Sequence, residues 1–174
     1  MDRELTFRDA VETDAQALAK IGGETFAETF GHLYPPADLK RYLDETYSIQ
    51  QMAADLRDPE VEVRIAFSGR RMVAYCKIGP CKLPFDVGPE PALELHRVYV
   101  YKHGQGVGVG RILLSWAIER ARQRGAKNLF LGVWEQNARA IALYEARGFE
   151  KVGGYKFKVG QTLDDEYILR LKLA

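Results

Sequence analysis

Tyr99-Val100-Tyr101-Lys102-His103-Gly104-Gln105-Gly106-Val107-Gly108-Val109-Gly110-Arg111-Ile112-Leu113-Leu114-Ser115-Trp116 is the stretch on which the fold turns. The β-type run Leu93 to Val100 reads as a strand and feeds a loop with glycine at alternate positions, Gly104 to Gly110. A helix is expected from about Arg111, with Ile112, Leu113, Trp116 and Ala117 on its apolar side, and Gly125 stops it. Glycines at this spacing let backbone N–H groups crowd together. A helix N-terminus behind them adds positive potential, so the loop suits a phosphate.

Two familiar phosphate loops do not fit. The dinucleotide fingerprint fails, because its third glycine position falls on Val109 or Arg111. A P-loop would need Gly-Lys-Ser or Gly-Lys-Thr, which is absent. Gln105-x-x-Gly108-x-Gly110 instead resembles the acetyl-CoA pyrophosphate loop of the GNAT superfamily of N-acetyltransferases.

The rest of the chain sets bounds. Its 174 residues suit a single domain, 1–174, and 47% hydrophobic content suits a packed core. A net charge of +1 gives no bulk case for nucleic acid or an anionic membrane. No apolar run reaches membrane-helix length, and Met1-Asp2-Arg3-Glu4 lacks signal-peptide character. Cys76 and Cys81, with His32, His96 and His103, match no zinc spacing, so no metal is expected. Two structural thiols point to a reducing cytoplasm.

In chain order, the expected elements are a strand at Leu5–Arg8, then a helix capped by Thr13 with Gln16 reaching back. Gly22-Gly23 inside that helix marks a kink or a close approach by a ligand. Helical pieces follow at Asp38–Tyr47 and after Ser48. A hairpin of Val61–Phe67 and Met72–Ile78 comes next, then a surface loop from Lys82 to Pro91. After the glycine loop and its helix come a buried strand at Asn128–Val133, a helix capped by Asn137, and two C-terminal strands. The order is that of an α/β (α+β) domain with a mixed sheet and helices on both faces.

Asn137, Tyr144, Gly148 and Phe149 also fall where the GNAT pattern has its Asn, its Tyr seven residues on, and Gly-Phe. The resemblance implies the acyl-CoA N-acyltransferase fold, with a mixed, mostly antiparallel central sheet. It also implies acetyl-CoA as co-substrate. By the same resemblance the amides of Gln105, Gly106, Val107, Gly108, Val109, Gly110 and Arg111 cradle the pyrophosphate. The backbone of Val98, Tyr99 and Val100 holds the pantetheine arm, Asn137 borders the cofactor, and Tyr144 is the general acid. A narrower resemblance, to small bacterial spermidine/spermine N-acetyltransferases, is carried by Thr25 to Phe30, Tyr42-Leu43, Leu131 to Glu135 and Tyr155-Lys156-Phe157. It implies a primary amine acceptor such as a polyamine. Peptide or protein N-acetylation, or a non-catalytic acyl-CoA-binding module, are the alternatives.

The acceptor amine must lose a proton. By period two, Glu94, His96, Val98 and Val100 share one strand face, which makes Glu94, or else His96, the candidate base. A polyamine needs carboxylates and apolar walls, and Glu24 and Glu28, one helical turn apart, are the candidates for binding it. A homodimer is compatible with the β-rich C-terminus.

Overall fold

The computed structural model describes residues 4–105 and 107–173. Gly106, assigned above to the phosphate loop, lies outside the described residues. Seven strands form one sheet: β1 (Leu5–Asp9), β2 (Glu62–Ser68), β3 (Arg71–Gly79), β4 (Ala92–Val100), β5 (Asn128–Trp134), β6 (Glu150–Val159) and β7 (Thr162–Lys172). Their spatial order is β1-β2-β3-β4-β5-β7-β6. All pairs are antiparallel except β4 with β5. The mixed, mostly antiparallel sheet with helices on both faces is borne out.

Five helices cover the sheet: α1 (Ala15–Phe30), α2 (Pro36–Thr46), α3 (Ile49–Arg57), α4 (Val109–Gln123) and α5 (Ala138–Glu145). α4 packs Leu113, Leu114, Ala117 and Ala121 onto one face, with α5 beside it. On the other face α1 lays Leu18, Ile21 and Phe26 against Ile65 and Tyr75, and α3 adds Met52. The sheet therefore separates two cores, as alternating strand side chains require.

Local signals set most element ends. Ser48 caps α3 by accepting from the Gln51 N–H at 3.1 Å. Pro36 opens α2, where its missing N–H costs nothing. Gly125 follows α4 at φ +82° and Gly148 follows α5 at φ +94°, left-handed turns that favour glycine.

Three expectations need correction. Thr13 does not cap α1. Asp14 holds that place, fixed by two hydrogen bonds from Arg8 at 2.8 and 2.9 Å, and its carboxylate accepts from the Val11 N–H. α1 is continuous through Gly22-Gly23. The close approach there comes from the Tyr47 ring, which a Cβ on Gly22 would meet at 2.5 Å. α4 begins at Val109, two residues before Arg111.

Candidate active site

β4 and β5 run parallel but pair only from Ala92 to Glu94, opposite Asn128 to Phe130. Beyond that point β4 stays bonded to β3 and β5 stays bonded to β7, so the two strands diverge. Their facing backbone groups lose strand partners and open a slot through the sheet. A buried edge of this kind calls for a partner that offers donors and acceptors along its length.

A bulge accompanies the split. Lys77 pairs with Arg97 and Ile78 with Leu95, so His96 is the extra residue on β4. The alternation slips there. Leu93 and Leu95, then Val98 and Val100, pack with the α4 core, whereas Tyr99 packs with the α1 core. Glu94 and Val98 consequently sit on opposite faces. The shared face expected from period two is corrected by this one inserted residue.

A cleft of about 1230 Å³ runs through the slot from one face to the other. On the α4–α5 side it is bordered by Gln105, Gly108, Val109, Gly110, Arg111, Asn137 and Tyr144, and between the strands by Val98, Tyr99 and Val100. These expected cofactor residues are brought together. Val107 is not on the cleft wall and is 62% exposed.

Gly108 takes φ +83° as the residue before α4, which turns the chain so that the first-turn amides of Val109, Gly110 and Arg111 face outward without intrahelical acceptors. The Gln105 amide instead donates to the Lys102 carbonyl at 3.2 Å. Its side chain braces the loop: Nε2 donates to the Val100 carbonyl, and Oε1 accepts from Arg139 at 2.8 Å. Arg139 and Arg147 join Arg111 on the wall, cations suited to phosphate that the sequence pattern alone does not single out. Gly104 is buried against Val73 and Val100, which a Cβ would touch at 3.4 and 3.5 Å. The loop, its amides and its arginines fit an acyl-CoA pyrophosphate, and the slot fits an extended pantetheine.

Asn137 caps α5, accepting from the Ala140 N–H at 3.3 Å. The cap points α5 so that Tyr144 reaches the cleft, its ring 5.7 Å edge-on from Phe149. Burial raises the Tyr144 phenol well above its ordinary value, and Cys76 and Tyr99 act in the same direction. Cys76 is the strand partner of Val98, which places the phenol near the slot. It stays protonated at neutral pH and is able to give a proton.

Glu94 also borders the cleft. Oε1 accepts from the Lys82 N–H at 2.8 Å, and Oε2 lies 3.1 Å from His96 Nδ1. Burial alone would push this carboxyl up. The hydrogen bond and charge of His96, with the amides of Lys82 and Leu83, outweigh burial and leave it below the usual carboxylate range. His96 Nε2 is 3.0 Å from the Pro80 carbonyl, so both ring nitrogens face oxygen acceptors. The bulge residue thus clamps Glu94 to the loop that follows β3.

On the α1–α2 side the walls are aromatic: Phe26, Phe30, Tyr42, Trp134, Tyr155 and Phe157. Phe30 meets Trp134 at 6.0 Å between ring centres, and Tyr42 meets Phe157 at 5.8 Å. Glu28 borders this side and accepts from the Lys102 N–H at 3.1 Å. Glu24 does not. It is exposed and holds the Tyr101 hydroxyl, a bond that turns it from the cleft. Beside Glu28, two acids line this side from β7, Asp164 and Glu166, which the sequence pattern alone does not single out. Asp164 accepts from the Tyr34 hydroxyl at 2.5 Å. Glu166 Oε2 is buried with no hydrogen-bond partner among the described residues. Burial and the adjacent Asp164 push the Glu166 carboxyl up to about 7. Among the described residues no group of three or more His, Cys, Asp or Glu side chains is placed to share a metal ion, and no helix is long and apolar enough to cross a membrane.

A helix N-terminus and glycine turn beside a split parallel strand pair, with a phenol at the split, define the class of acyl-CoA-dependent acyltransferases. The sequence pattern of the Acetyltransferase (GNAT) family matches residues 24–149, and the chain belongs to that family. It is an acetyltransferase that uses acetyl-CoA. An uncharacterized N-acetyltransferase of Lactobacillus delbrueckii subsp. lactis is 27% identical over 163 residues, 94% of each chain. The PaiA N-acetyltransferase of Thermoplasma acidophilum, solved with coenzyme A, shares the fold at a TM-score of 0.78 and 17% identity, covering 98% of this chain and 99% of its own. A Salmonella typhimurium structure with acetyl-CoA superimposes at a TM-score of 0.66 and 26% identity, covering 98% and 94%.

Proposed function

We propose that this acetyltransferase moves the acetyl group directly from acetyl-CoA to a primary amine of a small polyamine such as spermidine or spermine. The observation that carries the reading is the cleft itself. Its α4–α5 side suits the cofactor, and its other side joins aromatic walls to the carboxyl groups of Glu28, Asp164 and Glu166. Methylene spacers favour the first kind of surface and ammonium groups the second.

In this reading the amides of Val109 to Arg111 and the nearby arginines hold the pyrophosphate. The unpaired edges of β4 and β5 hold the pantetheine, and backbone N–H near Val98 receives the developing oxyanion. Glu94, charged at neutral pH, draws the ammonium in and accepts its proton through water. A carboxyl held below its usual range is a weaker base, and a water relay suits it better than direct transfer. The neutral amine attacks the thioester carbon, the carbon–sulfur bond breaks as Tyr144 protonates the departing thiolate, and the proton released from the acylated nitrogen restores the Tyr144 phenol.

Arg97 favours a second reading. Its guanidinium borders the cleft 4.6 Å over the Tyr47 ring, with no carboxylate in ion-pair range among the described residues. An acceptor bearing a carboxylate, such as an amino acid or a peptide terminus, would supply one. Thiol release from acetyl-CoA with spermidine, simple monoamines, amino acids and short peptides separates the readings. Saturable turnover of spermidine above the rest supports the first; turnover confined to carboxylate-bearing amines replaces it with the second.

The same proposal includes the cytoplasm as compartment, resting on two free thiols, Cys76 and Cys81. It also includes a homodimer formed at the open edge of β6. A monomer mass by light scattering removes the dimer.

A further inference from the structure

Glu166 and Asp164 are unusual acids for this cleft, because no cation among the described residues pairs with either, although Lys156 pairs with the outward-facing Asp165 between them. Keeping two carboxyl groups side by side in a half-buried site is costly unless something neutralises them. Glu166 stands opposite Tyr155 on one neighbouring strand and Trp134 on the other. Trp134 ends β5, on the far wall of the slot from Val98. Glu166 is one strand further, about 4.8 Å beyond Trp134. A second nitrogen a few methylenes from one reacting in the slot extends over Trp134 toward Glu166. The surrounding rings of Tyr42, Trp134, Tyr155 and Phe157 suit both the methylenes and the cation.

We propose that Glu166, supported by Asp164, receives the second, non-reacting ammonium of a diamine or polyamine acceptor. These β7 carboxyls, not those of α1, then select acceptors with two cationic groups. The inference rests on the polyamine reading and names the residues that enforce it. It also predicts a pH signature. The titratable groups coupled to Glu166 are Asp164 on its own strand, Tyr155 from β6, Tyr34 from the turn after α1 and Tyr42 from α2; Glu28 from α1, Lys77 from β3, and Glu94 and Arg97 from β4 border the same cleft. Burial keeps all three phenols neutral, so Asp164 is the charge that acts directly on Glu166. Glu166 is neutral below about pH 7 and charged above it, so a second ammonium is held better as pH rises through that value.

Initial rates of thiol release with 1,4-diaminobutane and with butylamine, from about pH 6 to about pH 8, test this. Glu166→Gln is expected to raise KM for the diamine by about tenfold or more, with KM for butylamine and kcat for both amines within about twofold. The wild-type rise in diamine preference with pH should vanish in that variant. Asp164→Asn should move its midpoint to lower pH, because a neighbouring negative charge is gone. Equal KM changes for both amines, an unchanged diamine KM, or a pH trend that survives Glu166→Gln overturns the assignment. If the wild-type enzyme prefers the diamine and Glu166→Gln does not alter that, only the Glu166 role fails. If the wild-type enzyme turns over butylamine but disfavours the diamine, or turns over neither, the polyamine reading falls with it.

Discussion

Tyr144 and Glu166 are both half-buried acids in the broad sense, and burial prepares them for different tasks. For Tyr144 it keeps the phenol protonated, the form that a thiolate leaving group needs. Tyr144→Phe retains the edge-on packing against Phe149 and deletes the proton. A kcat loss of roughly one to three orders of magnitude is expected, with CoA affinity by calorimetry little changed. Full activity would mean that the thiolate leaves without this donor. For Glu166 burial stores instability. The folded protein keeps a proton that the unfolded chain releases between about pH 4.5 and about pH 7, so this group's contribution to stability falls as pH rises through that window and is flat above it. The span corresponds to about 3 kcal/mol. Glu166→Gln should therefore melt higher than wild type at about pH 8 and close to it at about pH 4.5. A melting difference that does not grow with pH would show that the carboxyl is not held neutral by its surroundings.

The elements carry a different lesson about what a sequence exposes. The loop before α4 was legible because its signal is local: glycine at alternate positions between a β-type run and a helical one needs no knowledge of the remaining chain. The same holds for the Asn137 cap and the Gly148 stop. The His96 bulge was not legible, because a bulge is a relation between two strands, and nothing within Leu93–Val100 marks the place where β3 slips against it. Asp164 and Glu166 escaped for a similar reason. They border the cleft only because β7 inserts between β5 and β6, an order that periodicity within β7 cannot reveal. The sequence points instead to the acids of the first helix, Glu24 and Glu28, because they stand one turn apart among aromatic residues. Gly108 allows the loop's role to be tested as an element. It sits at φ +83°, and a Cβ added there would meet no atom of the described residues within 4 Å, so substitution costs backbone strain of about 1–2 kcal/mol rather than a clash. Gly108→Asn, whose side chain tolerates that conformation, should fold and bind CoA weakly. Gly108→Asp should fold comparably and lose CoA binding, because it sets a carboxylate where phosphate charge must lie. Equal CoA affinity in the two variants would take the loop out of the phosphate site.

At the scale of the whole molecule the sheet is a partition with a gap in it. β4 and β5 are pinned together at Glu94 and Phe130, and each is anchored on its outer side, β4 by β3 and β5 by β7. Closing the gap would mean breaking one of those ladders or removing the bulge, so the slot is held open by the architecture before any ligand arrives. A preformed slot spends little ordering entropy on binding. It does leave the facing backbone of Leu95–Val100 and Leu131–Trp134 without strand partners, and this is where bound CoA should act on the fold. Binding only the native state at about one hundred times its Kd stabilises it by about 2.7 kcal/mol. For a domain of this length that is a melting rise of about 5–10 °C. The distribution of the effect is the sharper test. In hydrogen exchange with CoA, protection should increase most at Leu95–Val100, Leu131–Trp134 and the start of α4, where amides gain acceptors. The β6–β7 hairpin and β1–β2 lie outside the slot, already have their ladders, and should change only with global stability. An equal rise in protection over the whole sheet would show that CoA stabilises the molecule without entering between β4 and β5, and the pantetheine would then need another path to Tyr144.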